Sequence, residues 1–390
     1  MGFRKSFAFC LTALLLTGLL FSGCGTLLEG PPSLDVRPHQ VDSPTLDPGD
    51  LTIVDSQAEL ERVIWNMVQA REESGLLRVL YPQAEGVEIV EAALLEVQRM
   101  PLAAYAVSLF QPMFLPERQQ GVTEIELLIS YQKTAEQMAG VRTVYGPATA
   151  RRLLEQMLRN GETELAMLSP ATIAHVSFLE SIIRDYSFSQ ALDVIIRPEV
   201  VINLYPSSGS GAPRIAEVLL DFGFDQEALF QMRDDLHQAA QALISEMPEA
   251  LTPAQKIIWL AESLSSGYGL TPTDFDRLHD IQDTAYGALA QGIASSEGFS
   301  MAFQALLTLL DIDTLVVRGE LDGEPHAWNL VHIDGYYYHI DISMLSTVGP
   351  ELTLFVPDEI MMFQNGYSWD AVLYPRADSL LRFGDFSELA

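Results

Sequence analysis

The sequence predicts an α+β fold, and three observations carry the prediction. From residue 51 to 245, stretches with helical periodicity alternate with short β-type runs. Those runs stop at Pro or polar breakers, so each helix must lie in a layer against a sheet. Beyond residue 285, one strongly apolar helix is followed by a β-branched and aromatic stretch that reaches residue 341.

The first fifty residues are read as targeting sequence. Arg4 and Lys5 form a positive start, and Phe7 to Phe21 is an apolar run. Leu20-Phe21-Ser22-Gly23-Cys24 then resembles a bacterial lipobox, with Phe21 where Leu is usual. An uncleaved anchor is the alternative, since the apolar run is nearly long enough to span a membrane. The polar stretch that follows favours cleavage. The expectation is a signal peptide over 1–23 and lipid on Cys24, holding the protein outside the cytoplasmic membrane of a bacterial cell. Residues 24–50 carry Pro31, Pro32, Pro38, Pro44 and Pro48 without apolar periodicity, which reads as a flexible tether.

Residues 51–245 read as two similar α/β units, 51–145 and 146–245, spaced by roughly 90 residues. In the first, helices are expected over 58–70 and 87–99, and strands over 76–81, 105–110 and 122–131. In the second, the helices fall over 148–159 and 173–184, and the strands over 164–168, 200–204 and 215–224. The best match sets Ile125-Glu-Leu-Leu against Val218-Leu-Leu-Asp. No metal-ligand spacing or phosphate loop occurs in either unit, so both read as packing units, with an adaptor role as the alternative. A helix over 225–247 stops at Pro248. Thr252 and Pro253 then open another, with Thr252 as N-cap and Pro253 at the first helical position.

The segment 285–341 carries the chemistry. Gly292, Gly298, Phe299 and Ser300 precede the apolar helix. His326-Ala-Trp-Asn follows, and His339-Ile-Asp341-Ile-Ser closes the segment. This pattern resembles the core of the transglutaminase-like, papain-type superfamily, with Pro325 where Gly is usual. The resemblance covers 246–380 and leaves 381–390 as a tail. It implies a helical half bearing the nucleophile and an antiparallel sheet bearing the base and its orienting acid. By register His326 is the base, Asp341 the acid, and the nucleophile's position holds Ser296 where the family has Cys.

No other thiol can replace that cysteine. The chain has two, Cys10 and Cys24, one in the expected signal peptide and one at the lipidation site. A thiol near a helix N-terminus and an imidazolium ionises readily. A serine hydroxyl must instead lose its proton in concert with attack, along an aligned hydrogen bond to the base. A capping role for Ser296 is the bland alternative, and Ser295 is a second candidate by position. Trp328 and Tyr286 are read as binding positions, Trp328 walling the imidazole and Tyr286 donating to an oxyanion, with core packing as the alternative for each. Asn329, His332 and His339 read as structural or surface positions.

Composition narrows the partners. With 22 basic and 53 acidic residues the chain carries a formal charge of −31, which repels nucleic acid. No cofactor motif and no metal site is signalled, although accidental pairs among seven histidines and 53 acids are common. Two functions follow from the resemblance. The favoured one is an inactive transglutaminase-like domain that binds a peptide, protein or cell-wall ligand. The alternative is a serine-dependent peptidase or acyltransferase using Ser296, His326 and Asp341. The N-terminal reading is tested by mass spectrometry of the mature protein, which should begin at a lipidated Cys24. Cys24→Ala should leave the chain unprocessed.

Overall fold

Two four-stranded sheets with the same strand order occupy the N-terminal part of the computed structural model, which describes residues 51–208, 212–267, 279–363 and 365–387. The expected signal peptide, Cys24 and the tether lie outside the described residues. The first sheet is ordered β1-β2-β4-β3, from Leu51–Val54, Ser74–Val79, Val107–Phe114 and Thr123–Tyr131 in chain order. The second is ordered β5-β6-β8-β7, from Arg142–Thr143, Glu164–Ser169, Glu199–Tyr205 and Arg214–Asp221.

Helices α1 (Gln57–Ala70), α2 (Gln83–Gln98) and α3 (Pro101–Ala106) belong to the first sheet. Ser56 caps α1 by accepting the Glu59 N–H. One apolar stripe of α1 (Leu60, Ile64, Met67, Val68) packs on Leu77, Ile125 and Leu127, all essentially inaccessible. Each such side chain contributes about 1.5–3 kcal/mol by burial. Helices α4 (Pro147–Asn160) and α5 (Val176–Ser189) cover the second sheet in the same way through Leu154, Met157, Leu179 and Ile182.

One cap is repeated in both copies. α1 ends at Arg71 in the left-handed region, where the Glu72 N–H bonds Met67 O at 2.9 Å. α4 ends at Gly161 in the same conformation, with the Glu162 N–H on Met157 O at 2.9 Å. The next ladder bonds also correspond, Ile129 N–H to Glu73 O and Leu220 N–H to Thr163 O. Ile125 is therefore equivalent to Ala216, and the match with Val218 slips by two residues. A two-residue slip keeps the same face of a strand, so hydrophobicity alone could not detect it.

Other differences have local causes. The strand expected from Tyr105 begins only at Val107, because Pro101 starts α3, whose Ala103 packs into the first core while the second sheet buries Tyr105 and Ala106. The helix expected from Ile173 starts at Val176, after a turn in which Ile173 N–H bonds Pro170 O. β1 and β5 are too short to show a period. β5 pairs in parallel with β6, so the second sheet begins before residue 146.

Helices α6 (Gln226–Ser245), α7 (Pro253–Gly267) and α8 (Ser296–Leu309) lead to the third sheet. The division expected at 245/246 falls inside one continuous core, which runs from Val144 through Leu236 and Leu260 to Phe386. The expected tail shares in it, since Phe386 packs on Phe355 with ring centroids 4.4 Å apart.

The third sheet is antiparallel, ordered β11-β10-β9-β12. Its strands are β9 (Thr314–Leu321), β10 (Glu324–Ile333), β11 (Tyr336–Ile340) and β12 (Tyr367–Ser368). Asp322-Gly323 and Asp334-Gly335 make its two-residue hairpins with positive φ at all four residues, the backbone such turns require. α8 lies against β9 and β10 and is buried on nearly every side from Gly298 to Leu307, as expected of a helix apolar all round.

A buried ion pair joins the first two sheets. Lys133 meets Glu217, whose side chain is 1% exposed, and Glu217 also accepts from Tyr205 Oη at 3.1 Å and Asn203 Nδ2 at 3.2 Å. Burial, then the charge of Glu217, pushes the Tyr205 hydroxyl up to about 12. Glu217→Ala would leave Lys133 without its partner beneath the first sheet. Urea denaturation of this variant should show a loss of about 3–5 kcal/mol, and an unchanged midpoint would mean the pair is not buried as described.

Candidate active site

The N-terminus of α8 is pinned by Ser295. Its Oγ accepts the Gly298 N–H at 3.3 Å and lies 2.5 Å from Asp283 Oδ1, to which it donates. Its own N–H bonds Gln282 O at 2.9 Å. A Cβ on Gly298 would stand 2.1 Å from Gln282 O, so only glycine permits this approach. With donor and acceptor both engaged, Ser295 is a structural residue.

Ser296 is the first residue of α8 rather than lying upstream of a helix that begins at Ser300. It is not the cap. Its Oγ accepts the Ala327 N–H at 3.3 Å and so ties the helix to β10. Ser296 and His326 line one cleft, with Asp283, Glu297 and Arg318 at its edges. No hydrogen bond joins the Ser296 hydroxyl to His326.

His326 is oriented from behind. Its Nε2 lies 2.6 Å from Asp341 Oδ2. In the neutral ring a proton on Nε2 is donated to that carboxylate, leaving Nδ1 as the free acceptor, as a general base requires. Asp341 stands just past β11 and is 1% exposed. It is the N-cap of α9 (Ile342–Val348), where Oδ1 accepts from Met344 N at 3.2 Å and Ser343 Oγ at 2.6 Å. Oδ2 also accepts the Tyr367 hydroxyl at 2.7 Å. Burial first, then the Asp341 charge, pushes the Tyr367 hydroxyl well above its ordinary range, so Tyr367 remains a donor.

Trp328 is fully buried, which corrects the expectation that it binds ligand. It walls the imidazole, stacked at 6.2 Å from His326 and edge-on to Tyr367 at 5.0 Å. Its indole N–H donates to His339 Nδ1 at 2.8 Å. His339, completely buried, therefore carries its proton on Nε2, 2.9 Å from Asp358 Oδ1. Gly319, opposite His326 in the sheet, keeps this stack closed, since a Cβ there would reach 2.1 Å from Ser368 O and 2.9 Å from Trp328. Asn329 is a strand residue whose buried amide donates to Ser300 O at 2.9 Å. Tyr286 does not line the cleft. It packs on the main core near Asp235 and accepts from Gln291 at 2.8 Å.

The edge of the cleft carries charges that the sequence did not single out. Arg197 Nη2 lies 2.7 Å from Glu297 Oε1, close but poorly aligned, and 3.8 Å from Asp283 Oδ2. Burial raises the Glu297 pKa, against the pull of Arg197. Arg197 is distant in sequence and has no motif around it. Tyr367 and Ser343 were equally hidden as ordinary polar residues, although Asp341-Ile-Ser-Met has the spacing of an Asp cap.

Neither a protein-family model nor a curated protein sequence matches this chain. Among solved structures it is similar to a TGase crystal structure at 12% identity and a TM-score of 0.27. The match covers 57% of this chain and 65% of that one, so the chain spans slightly less than two thirds of its length. No helix among the described residues is long and apolar enough to cross a membrane.

The buried His339 sets a pH dependence. Burial lowers its pKa below that of free histidine, with the Asp358 hydrogen bond opposing. Below about pH 6.5 the unfolded chain takes up a proton that the folded chain refuses. Stability contributed by this group is thus complete above about pH 6.5 and falls as pH drops through that window. Urea midpoints measured from about pH 7 to 5 should decline, and the decline should be shallower in His339→Gln.

Proposed function

We propose that this chain is a lipid-anchored extracytoplasmic protein whose cleft is a papain-type, transglutaminase-like site with serine in the nucleophile's place. It binds a peptide or cell-wall ligand without turning it over. One observation carries the reading. The imidazole of His326 is oriented by Asp341, yet the Ser296 hydroxyl accepts from the Ala327 N–H and donates no hydrogen bond to His326. A serine nucleophile needs that second bond to lose its proton during attack. A thiol would not, since the first turn of α8 and a nearby imidazolium would hold it as a thiolate.

A second reading, serine-dependent acyl transfer, is favoured by the retained Asp341–His326 contact at 2.6 Å. In that reaction His326 Nδ1 would take the hydroxyl proton as Oγ attacks an acyl carbon. The unpaired N–H groups of the first turn of α8 would face the resulting oxyanion.

Fluorophosphonate labelling separates the two. No adduct at Ser296 is expected, and an adduct lost in Ser296→Ala would establish the serine enzyme. Ser296→Cys tests the constellation itself. Its thiol should react with iodoacetamide at pH 7 about tenfold faster than free cysteine, the gain expected from lowering a thiol pKa from about 8.5 to near 7.5 or below. Peptide mass spectrometry would locate the adduct, and His326→Ala should abolish the excess.

A further inference from the structure

We infer that the cleft is selective for a ligand bearing a carboxylate, and that Arg318 is the side chain that recognises it. The inference rests on the cleft being a ligand site, and it adds the chemical class of the ligand.

Four charged groups surround Ser296 and His326, and three are already engaged with one another. Glu297 and Asp283 both face Arg197, and Asp283 also takes the hydroxyl of Ser295. Arg318 lines the same cleft, is exposed, and forms no ion pair among the described residues. Its field reaches Glu297 and helps to hold that carboxyl down, but the close contact belongs to Arg197.

Its place in the sheet is fixed. Arg318 stands directly opposite Ala327, whose N–H bonds the Ser296 hydroxyl, so the guanidinium shares the helix-facing side of the sheet with that contact. The side chain is also held. Its guanidinium carbon lies 3.8 Å from the centroid of the Phe188 ring, and Arg197 lies 4.8 Å from the same ring. Stacking on an aromatic face leaves the in-plane N–H fork free and reduces the entropy lost on binding. A planar fork of this kind matches a carboxylate in bidentate geometry. The close contacts of Asp283 and Glu297 are with Arg197 and Ser295, so neither carboxylate occupies the Arg318 fork. In a chain of net charge −31, an accessible guanidinium beside the reactive position is an attractive point for an anion in an otherwise repelling surface. An acidic side chain or a free terminal carboxylate of an extended peptide would place its oxygens on Arg318 while its backbone crosses Ser296.

The test uses the mature full-length Ser296→Cys protein and two alkylating probes of equal size, iodoacetate and iodoacetamide, which differ in carrying a carboxylate. The ratio of their rate constants at residue 296 is compared with that for N-acetylcysteine in the same buffer. The ratio should exceed that of the free thiol by about threefold to tenfold, the effect of one positive charge a few ångströms away in a partly solvated cleft. It should fall to the free-thiol value or below in Ser296→Cys/Arg318→Gln and be partly retained in Ser296→Cys/Arg318→Lys, both checked for a native melting transition. A ratio no higher than that of the free thiol, or one unaffected by Arg318→Gln, overturns the inference. If iodoacetamide shows no excess rate, the papain-type reading fails separately, and the ratio still decides the role of Arg318.

Discussion

A single buried carboxylate organises the C-terminal part of the molecule. Asp341 is 1% exposed, and four donors meet its two oxygens, namely His326, Tyr367, Ser343 and the Met344 N–H. Removing any one would leave a buried oxygen short of a donor, at a cost of the order of 1–3 kcal/mol. The four donors lie on three elements: His326 on β10, Tyr367 on β12, Ser343 and Met344 on α9. Meeting the requirements of one group therefore fixes the outer strand of the sheet, the start of α9 and the direction of the imidazole together.

A second layer follows from the first. His326 stacks on Trp328, and the Trp328 indole hydrogen bonds His339, which in turn contacts Asp358. The sheet thus carries two His–Asp pairs separated by one indole. The outer pair opens onto the cleft through His326, whereas in the inner one the imidazole is fully buried and only Asp358 keeps some exposure. Burial drives the inner imidazole toward neutrality, so it serves as a fixed acceptor that aims the indole. The sheet side of the cleft is rigid as a result. The helix side is held as firmly, by Ser295 on Asp283 and by the close approach that Gly298 permits. Between these two fixed walls, Ser296 is bonded to a backbone N–H and not to His326.

The N-terminal sheets stabilise this arrangement at a distance. The second sheet shares one continuous core with α6, α7 and α8, so the scaffold of the cleft begins near Val144, well before the motif. α5 and the loop after it supply Phe188 and Arg197, which set the charge and the aromatic platform at the edge of the cleft. The helix-on-sheet unit thereby takes part in the electrostatics of the site as well as in packing.

Local chemistry made much of this legible in the sequence. Helical periodicity located α1, α2, α4 and α6 to within a few residues, because each has one buried stripe. The family resemblance of the motifs around Gly298, His326 and Asp341 grouped Ser296, His326 and Asp341; the structure places Ser296 and His326 on one cleft and Asp341 against the imidazole. Tertiary structure decided the rest. α3 forms because the neighbouring sheet buries Tyr105 and Ala106, a contact no local pattern contains. Trp328 and Tyr286 are aromatic positions whose exposure depends on which elements pack above them, and both proved to be packing residues rather than cleft contacts. Arg197, Arg318 and Tyr367 come together from distant positions around Ser296 and Asp341, and no residue beside them in the chain signals it. Local sequence sets which backbone forms and which groups can titrate. Only the folded chain sets which charges are left unpaired, because pairing depends on distances between elements that the sequence keeps far apart.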